Sequence, residues 1–115
     1  MRFKIILASV KSEKTDKVVD AAKQAGTTGA TIIPARGTGI NEAKTFFGLT
    51  LEAQTDIIMF LVEEHVVQDI LGAINAAGEF RKPGTGIAFV VPVEQVIGLE
   101  SQMERFRKEV RDHYF

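Results

Sequence analysis

The run Asp56-Ile57-Ile58-Met59-Phe60-Leu61-Val62 constrains this chain more than any other, because once extended it is apolar on both faces. Ile57, Met59 and Leu61 fall on one side, Ile58, Phe60 and Val62 on the other. The segment at residues 3–8 repeats the property, with Phe3, Ile5 and Leu7 opposite Ile6 and Ala8. A sheet with one solvated face alternates apolar and polar residues along its strands. These strands do not, so both faces of their sheet must be covered. Left in water, each second-face side chain would forgo roughly 1.5–3 kcal/mol of burial. Several together rival a domain's whole stability of about 5–15 kcal/mol.

The order of elements follows from the same kind of pattern. Residues 3–10 read as a strand. A helical stretch then opens at Ser12 and Glu13, places Val18, Ala22 and Ala25 on one face and stops at Gly26. Residues 30–35 and 56–62 are the next two strands. A second helix follows, with the stripe Val67, Ile70, Leu71 and Ile74 and a stop at Gly78, and residues 87–91 make the last strand. Strand, helix, strand, strand, helix, strand is the split βαβ arrangement, an α+β ferredoxin-like βαββαβ fold with both helices on one sheet face. Met103, Phe106, Val110 and Tyr114 predict a C-terminal helix within residues 100–115. That helix is too narrow, and with Glu104, Arg105, Arg107, Lys108, Glu109, Arg111 and Asp112 too charged, to cover the other face alone. Self-association through the sheet is the simplest cover; the chain's own loop folded beneath it is the alternative.

With 115 residues, 45% apolar and 25% charged, one domain spanning residues 1–115 is expected. A formal charge of −1 argues against nucleic-acid binding. The absence of cysteine excludes disulfides, thiol nucleophiles and thiolate metal sites. The first residues lack a signal-peptide pattern, and the longest uncharged apolar run, 57–62, is far short of a membrane span, so a cytoplasmic location without membrane insertion is expected.

Two glycine turns carry the candidate chemistry. Lys82-Pro83-Gly84-Thr85-Gly86 leads straight into the last strand, and Arg36-Gly37-Thr38-Gly39 follows the second. Gly84 and Gly86 are free to take positive φ, so N–H groups around Thr85 can form an anion-binding nest beside Lys82. The same pattern also suits an ordinary Pro-Gly turn. Two such loops in a small domain are candidates to share one cleft.

With Gly29-Ala30-Thr31-Ile32 ahead of Arg36-Gly37-Thr38-Gly39, and Lys82 to Val90 followed by Val93-Glu94-Gln95-Val96-Ile97, the chain resembles the PII signalling proteins over residues 3–99. That family's patterns are close to G-M-T-V followed by G-x-G, and to K-I-G-D-G-K-I-F-V followed by V-x-x-V-I. The resemblance implies a homotrimer with sheets turned inward and adenine nucleotides bound between neighbouring subunits. By this carry-over Thr31 sits near the base, Gly37, Thr38, Gly39 and Asn41 line the cleft at the loop base, and Lys82, Gly84, Thr85 and Gly86 hold phosphates.

Departures from the family pattern thin the phosphate clamp. Ile87 stands where the family has a lysine, Gly98 and Glu100 where it has two arginines, and Thr85 where it has an aspartate. Each lost cation removes charge-assisted contacts of roughly 1.5–3 kcal/mol. AMP, ADP or a cyclic adenylate therefore becomes more plausible than ATP as the ligand. Asn41 replaces a glutamine that helps relatives bind magnesium and 2-oxoglutarate.

The loop at residues 40–55 corresponds to the family's output surface. It is short and lacks the tyrosine and serine that are modified in relatives. Its Phe46, Phe47, Leu49 and Leu51 suit either docking to a partner protein or packing beneath the sheet. A membrane transporter or a regulated enzyme is a family-consistent partner. No nucleophile triad, paired carboxylate or phosphate-binding Walker pattern supports an enzyme. His65 beside Glu63 and Glu64 is a thin metal candidate, since carboxylates at a helix start more often complement its dipole. The expected function is a nucleotide-binding signal regulator; the alternative is a ligand-independent trimeric adaptor with a vestigial site.

Overall fold

The computed structural model describes residues 2–36, 44–46, 49–51 and 54–99. Strand β1 runs from Phe3 to Lys11 and helix α1 from Thr15 to Ala25, entered through a short 3-10 turn at Ser12–Lys14. Strand β2 is Thr31–Arg36, and β5 is Gln54–Glu63. Between them Lys44–Phe46 and Leu49–Leu51 pair as a small antiparallel hairpin, β3 and β4. A second 3-10 turn, Glu64–Val66, leads into helix α2 at Val67–Gly78, and β6 closes the sheet at Gly86–Pro92. The strand and helix order read from the pattern is thus present, with a hairpin inside the stretch expected to be loop. The C-terminal helix expected at 100–115 lies outside the described residues.

The main sheet has the order β2-β5-β1-β6 and is antiparallel throughout. Leu7 stands opposite Met59 on one side and Phe89 on the other, and Thr31 is opposite Met59. Both helices cover one face. Ile6, Ala8 and Val10 of β1 and Ile58, Phe60 and Val62 of β5 are buried there against Val18 and Ala22 of α1 and Ile70 and Ile74 of α2. This is one contiguous apolar core, built by period-two strands meeting helical stripes.

The opposite face has no such cover among the described residues. Ile5, Leu7, Ile57 and Met59 are half-buried there, while Ile33, Leu61, Ile87 and Phe89 are exposed, Ile87 to 60%. Beyond β6, Val96 and Ile97 are also exposed, Ile97 to 98%.

Helix ends are set by two different devices. Gly26 ends α1 at φ +131, a conformation open to glycine, while the Thr27 N–H donates to the Ala22 carbonyl at 3.2 Å. At α2 the expected stop was Gly78, but Gly78 is helical and the left-handed cap is Glu79, at φ 55 and ψ 45. Gly78 is required for another reason. A Cβ there would lie 2.3 Å from Cε1 of Phe80, whose ring folds back over the helix end.

Candidate functional site

The turn from Glu79 to Gly86 links α2 to β6 and is held mostly by its own groups. The Lys82 N–H donates to the Glu79 carbonyl at 2.9 Å, and the Phe80 N–H to the Asn75 carbonyl at 3.2 Å. The Thr85 hydroxyl lies 2.9 Å from the Glu79 carbonyl and 2.8 Å from that of Lys82, so its single proton is shared between them. Gly84 takes φ +76 with open space where a Cβ would stand. Gly86, expected to share that freedom, is needed for close approach instead. A Cβ on it would be 2.6 Å from the Ser9 carbonyl oxygen and 2.6 Å from Cε1 of Phe80.

Within this turn Glu79 and Lys82 are paired, while Arg81 is exposed. Lys82 Nζ donates to Glu79 Oε1 at 3.2 Å, and Lys14, from the turn before α1, donates to Glu79 Oε2 at 2.5 Å and to the Gly78 carbonyl at 3.4 Å. The hydrogen bonds from Lys14 and then Lys82, with their positive charges, hold the Glu79 carboxyl down at about 2. Lys82, expected as a phosphate ligand, therefore carries a carboxylate on its ammonium. Its side chain remains 69% exposed.

The remaining candidates are distributed across the sheet. Thr31 opens β2, an edge strand, and is exposed; β6 with Gly86 forms the opposite edge. The end of β2 and the start of β6 lie at the same end of the sheet, since Ala35 is opposite Thr55, Thr55 opposite Lys11, and Val10 opposite Gly86. Two strands separate them, a distance of three interstrand spacings or about 14 Å. The end of β2 and the start of β6 thus flank one end of the sheet without meeting within one copy of the chain. Gly37, Thr38, Gly39, Asn41 and Phe47 lie outside the described residues; Phe46 is in β3, and Leu49 and Leu51 are in β4. Ile87 is exposed on the uncovered face.

His65 Nδ1 lies 3.1 Å from Glu63 Oε1, exposed at the 3-10 turn. Among the described residues no three histidine or acidic side chains gather as metal ligands. Nor is any helix among them long and apolar enough to cross a membrane. A shallow groove of about 530 Å³ between α1 and α2, lined by Ala21, Gln24, Ala25, Ala73, Ala76 and Ala77, shares no residue with the nucleotide candidates.

Sequence reasoning missed Glu79 and Phe80. The signal for Phe80 was local: an aromatic ring set between two glycines, Gly78 and Gly86. Glu79 had only its spacing of three from Lys82, while its second partner, Lys14, is 65 positions away.

The family model of nitrogen regulatory protein P-II matches residues 3–103. The nitrogen regulatory protein P-II of Azospirillum brasilense is 30% identical over 104 residues, covering 86% of this chain and 93% of that protein. The match spans every described element from β1 to β6, and the four-stranded antiparallel sheet with two helices on one face is the ferredoxin-like form expected of the resemblance. The chain belongs to the nitrogen regulatory protein P-II family.

Proposed function

We propose that this protein is a cytoplasmic signal-transduction regulator that assembles as a homotrimer through its uncovered sheet face, binds an adenine nucleotide between subunits, and reports it to a partner protein. The observation that carries this reading is the separation of the candidate residues. The β2 edge, which carries Thr31 and ends at Arg36, and the β6 edge with the Lys82–Gly86 turn are about 14 Å apart in one chain, with β5 and β1 between them. Packing the bare faces of several copies together brings one subunit's β2 edge toward its neighbour's β6 edge. Family membership supports the regulatory role.

In this reading Thr31 lies near the base, residues 37–41 form the base of the output loop, and Lys82, Gly84, Thr85 and Gly86 hold phosphate. The ligand orders residues 40–55 by preferring one of their conformations, which changes the affinity of Phe46, Phe47, Leu49 and Leu51 for a membrane transporter or a regulated enzyme. The ligand is AMP, ADP, ATP or a cyclic adenylate, the missing cations favouring the species with less phosphate charge.

A second reading, a trimeric adaptor that docks without ligand, draws support from the internal engagement of Lys82 and Thr85. Light scattering for solution mass, then calorimetric titration with AMP, ADP, ATP and cyclic adenylates with and without magnesium, bicarbonate and 2-oxoglutarate, separates the two. Micromolar binding abolished by Lys82→Ala establishes the sensor. A trimer silent across the panel favours the adaptor and turns the search to the partner of residues 40–55.

A further inference from the structure

We propose that Glu79 is a built-in counter-ion of the Lys82–Gly86 turn, which occupies the Lys82 ammonium and restricts the turn to ligands carrying little phosphate charge. This inference rests on the nucleotide reading above and names a determinant of its specificity.

Three observations place the carboxylate where it has this effect. As the left-handed cap of α2, with its N–H directed at the Ala76 carbonyl at 3.3 Å, the Glu79 backbone is fixed at the entry to the turn. Lys14 anchors the carboxylate from α1's side, and the Lys14 side chain is largely sheltered at 20% exposure. The carboxylate's other oxygen faces Lys82. Lys14, Lys82 and Glu79 together carry a net charge of +1, where the two lysines alone would present +2. The Thr85 hydroxyl, donating to two carbonyls of the same turn, has no proton left for a phosphate oxygen.

A phosphate approaching Lys82 must share it with a carboxylate that cannot swing away without giving up Lys14. Repulsion from Glu79 grows with every further charge on the ligand, because like charges a few ångströms apart near a protein surface interact substantially. The cost is smallest for a monophosphate and largest for a triphosphate. Lys82 is exposed, so water and salt screen the effect and its size depends on ionic strength.

The test is calorimetric titration of AMP, ADP and ATP into the full chain and its Glu79→Gln and Glu79→Asn variants, at two salt concentrations. Asparagine tolerates the left-handed conformation that Glu79 adopts, so the second variant removes the charge while favouring the fold. Circular dichroism confirms that each variant is folded. The expected result is ATP affinity raised about tenfold in both variants, AMP affinity raised about threefold or less, and a gain that shrinks at high salt. Equal gains for all three nucleotides, or none, would overturn the counter-ion role while leaving the nucleotide reading intact. No binding of any nucleotide by either the native chain or the variants would overturn both.

Discussion

Lys14 Nζ lies 2.5 Å from Glu79 Oε2, joining the turn before α1 to the cap of α2 across 65 positions of sequence. With Lys82 on the other oxygen, the carboxyl is held at about 2, well below the ordinary value of 4.5. A depressed carboxyl contributes stability that is fully present above its unfolded value and is lost as pH falls through its folded value. Comparing the midpoint of thermal unfolding of the native chain with that of Glu79→Gln therefore gives a difference that is constant above about pH 5.5. It shrinks from there downward and closes near pH 2. A difference independent of pH over that range would show that the carboxylate charge is not what ties the helices together.

The Phe80 ring requires glycine at both Gly78 and Gly86, which a Cβ would bring within 2.3 and 2.6 Å of its Cε1. Gly86→Ala also meets the Ser9 carbonyl oxygen, part of the β1 backbone and unable to rotate away. Overpacking of this kind costs about 1–3 kcal/mol, and Gly86→Ala is expected at the upper end. Gly78→Ala meets only the ring, so its cost should be largely relieved by adding Phe80→Ala. Urea unfolding of the single and double variants measures this coupling.

The strands were legible because β1 and β5 carry apolar residues on both faces, a pattern that survives any choice of partner. The helix stripes Val18/Ala22 and Ile70/Ile74 were equally plain, since burial of one face is written at helical spacing. The hairpin was not: Lys44–Phe46 and Leu49–Leu51 are three residues each, too short for a period to register. Glycine is the usual left-handed residue, which makes Gly78 the expected helix stop, yet Glu79 takes that conformation and Gly78 makes room for Phe80. The engagement of Lys82 was hidden for the same reason. Sequence shows a cation beside a glycine turn, but Lys14, which fixes its counter-ion, comes from the turn before the other helix.

Thr15, 4% exposed at the start of α1, donates its hydroxyl to Asp56 Oδ2 at 2.5 Å and so ties that helix to the beginning of β5. Thr15→Val keeps the shape of the side chain and removes the donor, leaving a carboxylate oxygen facing a methyl group. Hydrogen bonds to charged groups contribute about 1.5–3 kcal/mol. A loss of that order is expected in urea unfolding, and Asp56→Ala added to Thr15→Val should cost less than the sum of the two alone.

The uncovered face gives the sharpest test of assembly, because the core lies entirely on the other side of the sheet. Leu61 and Phe89 project from β5 and β6 away from the helices and are exposed, so a charge on either leaves Ile6, Ile58, Phe60, Ile70 and Ile74 undisturbed. If copies pack through this face, burying either side chain contributes roughly 1.5–3 kcal/mol per subunit. Putting an unpaired carboxylate there would both forfeit that and add a desolvation cost. Leu61→Glu and Phe89→Glu are thus expected to shift the solution mass from three chains to one, by light scattering, with helical content unchanged. Asp20→Lys, on the exposed outer side of α1, should leave the mass as it was. A trimer that persists in both sheet variants would mean that the chain associates elsewhere, and that the two glycine turns are not brought together by the sheet.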